Sequence, residues 1–131
     1  MKTICKRLRR GDDLLESIVS LCRENGVEAG VILSGVGCVS RASIRDAGGV
    51  NVREIREDCE IVSLTGTVSA LRCHVHIALS REDLTTLGGH LMAGTVINTT
   101  CELVIGVLDG WRFGTEQDDA TGYDELIFEE V

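Results

Sequence analysis

Three histidines, His74, His76 and His90, fall within seventeen residues of one another, and the chain has no others. Imidazole is the commonest metal ligand among side chains, and it binds in its neutral form. His74 and His76 are two positions apart in Arg72-Cys73-His74-Val75-His76-Ile77-Ala78-Leu79, whose alternation reads as a strand over 72–79. On such a strand Cys73, Val75, Ile77 and Leu79 point to a core, while Arg72, His74, His76 and Ala78 share the opposite face. The two histidine Cα atoms then stand about 6.6 Å apart, a span from which both rings can reach one ion at about 2.0–2.1 Å. Cys73 points away from them. His90 follows Gly88-Gly89, and a glycine pair permits a turn that would fold the third imidazole over the other two. Three neutral imidazoles with an open fourth position describe a catalytic-type zinc site, whereas closed structural sites usually take four ligands and are rich in cysteine. The competing reading makes His74 and His76 ordinary half-exposed strand residues and His90 a hydrogen-bonded turn residue.

Other groups offer less. Glu102 alternates away from the apolar set of its strand, so it can serve as a general base or as a partner orienting a histidine. Equally it can be a buried carboxylate paired with Arg45 or Arg72. Leu33-Ser34-Gly35-Val36-Gly37 has the glycines of a tight turn but neither a full dinucleotide fingerprint nor the lysine of a phosphate loop, so it reads as structural. Ser34 is not in a Gly-x-Ser-x-Gly elbow, which argues against a serine hydrolase.

The elements that must position these groups are mostly strands. Residues 3–9 read as the first. Asp12 or Asp13 then caps a helix, with Glu16 three residues after Asp13, and Leu14, Leu15, Ile18, Val19, Leu21 and Cys22 recur at helical spacing up to Gly26. No other segment predicts a helix as clearly. Strands are expected at 29–33 and 39–46, with a turn at 34–37 between them, and Gly48-Gly49 makes a hairpin to 52–57. Further strands are expected at 60–68, 72–79, 94–98 and 101–108, and Glu116-Gln117-Asp118-Asp119 reads as a solvated loop. Both alternating sets of 101–108 are mostly apolar, which calls for cover on both faces of that strand. With one clear helix available, a neighbouring subunit is a candidate for the second cover.

Composition bounds the class of protein. At 131 residues the chain suits a single domain over 1–131, and its 44% hydrophobic and 26% charged residues fit a globular protein. No apolar run reaches the roughly 20 residues of a membrane helix, and the first residues lack a signal peptide's apolar stretch, so no membrane role and a cytoplasmic address are expected. The six cysteines form no Cys-x-x-Cys pair and read as reduced, mostly core residues. A formal charge of −8 and a pI near 4.8 repel phosphate backbones, which disfavours DNA as a partner. Lys6, Arg7, Arg9 and Arg10 form the one basic patch, read more simply as a charged strand edge.

The order of these motifs resembles a known family. The first strand, Gly-Asp-Asp-Leu-Leu-Glu-Ser at the helix start, Leu-Ser-Gly-Val-Gly, Glu60-Ile61-Val62-Ser63-Leu64-Thr65-Gly66, His74-Val75-His76, then Gly88-Gly89-His90-Leu91 with Gly94 and Glu102, is similar to the plants and prokaryotes conserved (PPC) domain. The likeness runs from about residue 4 to residue 128. It implies an α+β domain built on a strongly bent, mainly antiparallel sheet, assembled as a homotrimer. It also implies a three-histidine metal site at His74, His76 and His90, and a regulatory, DNA-associated role. The chain has no proline and no Arg-Gly-Arg-Pro hook, so the part of plant relatives that enters the minor groove is missing. Two functions follow as alternatives: a trimeric metal-binding regulatory protein, or a small zinc-dependent enzyme acting on a small polar substrate with Glu102 as proton carrier.

Overall fold

The computed structural model describes all residues, 1–131. Strand β1 (Lys2–Arg9) turns at Gly11 into helix α1 (Leu14–Glu24). Asp13 is the N-cap: its Oδ1 accepts from the Glu16 amide at 3.0 Å, and its Oδ2 accepts from the Gly94 amide at 2.6 Å. One carboxylate thus satisfies a helix-start N–H and ties the helix to a distant loop. Asp13→Ala is expected to cost about 1–2 kcal/mol, seen as a lower denaturation midpoint with an unchanged slope. Leu14, Ile18 and Cys22 form the buried stripe of α1, and Gly26, at φ +56°, ends it.

Eight strands follow: β2 (Gly30–Arg45), β3 (Val52–Ile55), β4 (Cys59–Val68), β5 (Cys73–Ser80), β6 (Thr86–Leu91), β7 (Val96–Val107), β8 (Trp111–Asp118) and β9 (Tyr123–Glu130). Every pairing is antiparallel. The main sheet runs β1-β7-β2-β4-β5-β6, with β3 also on β2, while β8 and β9 form a separate hairpin. The far end of β2 pairs again with β6, through Ile44↔Leu91 and Arg45↔His90. That closure bends the sheet sharply, since β2 must have β4 beside its start and β6 beside its end. Inside the curl, Val39, Leu79, Ile97 and Ile105 join the helix stripe in one apolar cluster. The result is a single α+β domain with one helix and a bent antiparallel sheet.

Four sequence expectations are corrected. No turn interrupts 34–37, because β2 runs unbroken and absorbs its irregularities as register shifts at Ile32/Ser34 and Gly37/Cys38. Its glycines serve close approach instead: a Cβ on Gly37 would strike the Thr100 carbonyl oxygen, and one on Gly35 the Leu64 side chain. Segments 94–98 and 101–108 are likewise one strand, β7, which kinks at Thr99 (φ +57°). Gly88-Gly89 lies within β6 rather than in a turn. The acidic run 116–118 belongs to β8, paired with β9 through Glu116↔Glu125 and Asp118↔Tyr123. The six cysteines are all free; Cys22, Cys59 and Cys101 are buried and Cys5 is exposed.

Candidate metal centre

Strand β5 behaves as its alternation requires. Val75, Ile77 and Leu79 are buried, while His74 and His76 project from the outer face of the sheet. Strand β6 lies beside it with His90 directly opposite His76, and cross-strand partners share a face. Because β6 also borders β2, one row crosses the outer face: Arg45, His90, His76, Thr65. His74 stands one row along, opposite Thr67.

The three rings converge. Their centroids are 5.0, 5.1 and 5.5 Å apart, and each offers a nitrogen within 4.8 Å of the other two. Nε2 of His74 is 3.2 Å from Nε2 of His76. Ligands at about 2.0–2.1 Å around a tetrahedral ion are about 3.3–3.4 Å from one another, so the His74–His76 pair is already at ligand spacing, and His90, with its nitrogen within 4.8 Å of theirs, must draw closer to complete the set. The donor set fits a metal of intermediate softness: three imidazoles and no thiolate, since Cys73 faces inward beside Cys22 with its Sγ 3.5 Å from the Ser69 carbonyl. Such an ion supplies Lewis acidity toward a fourth, non-protein ligand.

Electrostatics keeps the imidazoles ready. Burial lowers the pKa of His74, with His76, Arg72 and Arg45 adding to it and Glu125 opposing. Burial, then Arg45, then the other histidines and Arg72, push His90 down to about 4. Both rings are therefore neutral at neutral pH, with a lone pair free. In the unfolded chain they return to about 6.5, so below that value the unfolded state takes up more protons than the folded one. Stability of the metal-free protein should thus be independent of these rings above about pH 6.5 and fall as pH drops from there toward about 4. Thermal melts across that window should show the fall in wild type and a shallower one in His90→Asn.

Of the residues singled out from the sequence, the three histidines come together and Glu102 does not join them. It stands on β7, exposed, opposite Arg7 of β1 and Val36 of β2, with β2 and β4 between it and β5. It is not buried and pairs with neither Arg45 nor Arg72. Arg45 was not legible as part of the site, because only the β2–β6 closure brings it there: its Nη2 is 3.3 Å from Nδ1 of His90. Glu125 arrives from the β8–β9 hairpin, which had no counterpart in the sequence reading.

Comparison with known proteins bears on this geometry. The "Plants and Prokaryotes Conserved (PCC) domain" matches residues 1–109. The bifunctional protein GlmU of Synechococcus sp. (strain JA-3-3Ab) is 37% identical over 125 residues, 95% of this chain but 20% of that protein. The chain thus spans about a fifth of that relative's length. A hypothetical protein of Salmonella cholerae-suis superposes with a TM-score of 0.95 at 30% identity, covering 98% of this chain and 94% of the other. Protein AF0104 of Archaeoglobus fulgidus, described as metal-containing, gives a TM-score of 0.80 at 30% identity over 97% and 94% of the two chains.

Proposed function

The chain belongs to the Plants and Prokaryotes Conserved domain family, abbreviated PCC or PPC, and from that premise we propose that it is a homotrimeric, zinc-binding member of the family. The carrying observation is the meeting of three imidazoles from two adjacent strands at near-ligand spacing. The metal content of the Archaeoglobus relative supports it. Zinc suits the site because imidazole nitrogens favour it and four-coordination leaves one position for water or a small ligand. Six free thiols accord with a reducing, cytoplasmic setting.

Trimer formation is supported by the family resemblance and by the outer sheet face, where Leu33, Val36 and Val62 are each about half exposed. Glu102 shares that face. As proton carrier it would have to reach the histidines of a neighbouring copy, which makes the enzymatic reading a property of the assembly. The regulatory reading draws support from the Synechococcus relative, where a domain of this kind is one fifth of a larger bifunctional protein.

DNA association is the second reading, favoured by the exposed Lys6, Arg7, Arg9 and Arg10. Charge weighs against it: Lys6 shares a groove with Asp12, Asp13, Glu16 and Glu24, and Arg7 lies opposite Glu102. Elemental analysis with native mass spectrometry tests the proposal. One zinc per chain in a particle of three chains is expected, and a metal-free monomer would refute it. A gel shift at low salt tests DNA separately.

A further inference from the structure

Two arginines flank the histidines, and neither has an acidic partner. The chain's ion pairs engage Arg53, Arg56, Arg81 and Arg112, so Arg45 and Arg72 are among the seven arginines without one in a protein whose net charge is −8. Arg72 stands in the turn just ahead of β5, two residues before His74, and its charge is felt by both His74 and His90. Nε of Arg45 is buried and makes no hydrogen bond, and the one polar contact of its side chain is with Nδ1 of His90. A half-buried guanidinium with an orphaned N–H is costly unless something arrives to accept from it.

Metal binding sharpens the demand. The guanidinium has only donors, so its contact with His90 requires Nδ1 to be without a proton. An imidazole that gives Nε2 to a metal keeps its proton on Nδ1, which then faces Arg45 donor to donor. Arg45 would have to let go, which frees its forked N–H groups beside the ring of His90. A divalent ion on three neutral ligands, beside two unpaired arginines, leaves a strong excess of positive charge opposed only by Glu125.

We infer that the open position takes a small oxyanion, a carboxylate or a phosphate monoester, held between the metal and Arg45 with Arg72 as the second positive group. A planar fork matches two oxygens of either anion. This rests on the metal reading of the preceding subsection and names the ligand class for the same site.

The test uses full-length protein loaded with Co²⁺, whose visible spectrum reports its ligands. Acetate and inorganic phosphate are titrated at constant ionic strength, with chloride as control. A saturable spectral change with acetate, phosphate or both is expected, and which of them acts tells carboxylate from phosphate. Arg45→Met should keep its metal content and need at least ten-fold more anion for half the change, with Arg45→Lys in between. Should Arg45→Met fail to fold, Arg45→Lys alone carries the comparison. A metal-loaded wild type indifferent to both anions, or arginine variants with unaltered half-saturation, overturns the inference and leaves the metal site standing. Wild type that takes up no cobalt refutes the metal reading and the inference with it.

Discussion

His76→Ala should purify with no stoichiometric metal, its affinity at least a hundred-fold below that of wild type, while the fold persists. His76 is the middle of the site: it lies across from His90 and its Nε2 is 3.2 Å from that of His74. Losing an outer partner of a ligand already costs 10–100-fold at metal sites, so losing a ligand from a set of three costs more. His76 is exposed, and exposed substitutions usually shift stability by no more than about 0.5 kcal/mol. Metal per chain by elemental analysis and the far-ultraviolet dichroism of the metal-free forms separate the two effects. Full metal retention in the variant would remove the histidines from any role as a centre.

Gly88→Ala should damage both fold and centre while all three histidines remain. A Cβ at this position would run into the Ile77 carbonyl oxygen and come within 2.9 Å of the Ala78 Cα. Both obstacles are backbone of β5, so no side chain can swing aside and β6 must back away. Overpacking of this kind costs about 1–3 kcal/mol. His90 is two residues further along the displaced strand, so metal affinity should fall together with the denaturation midpoint. A variant as stable as wild type, with wild-type metal affinity, would show that the two strands tolerate separation and that the site does not depend on their contact.

Much of this architecture was legible because it rests on local patterns. Asp13, Glu16 and the Leu14, Ile18, Cys22 stripe marked the helix, and the alternation of Val75, Ile77 and Leu79 placed His74 and His76 on a shared face. The glycines misled. At Gly35, Gly37 and Gly88 the absent Cβ makes room for a neighbouring strand, and nothing in a single sequence separates that use from a turn. The third histidine does converge on the other two, but a paired strand and not a flexible hinge delivers it. Arg45 stayed invisible because its place depends on a pairing between residues forty-five positions apart, Arg45↔His90. The β8–β9 hairpin was missed because its strands carry little alternation: Thr115, Glu116 and Gln117 are all exposed in sequence.

Strand β2 is hydrogen-bonded to four others, β3, β4, β6 and β7. During synthesis only the short β3 and then β4 can join it early, while β7, its most extensive partner, emerges about fifty residues later. One long border of β2 therefore waits unprotected while those residues are made, the condition under which nascent β-rich chains associate wrongly. Contacts this remote along the chain also slow spontaneous folding. Expression yield at raised temperature, more than equilibrium stability, is where the length of that central strand should make itself felt.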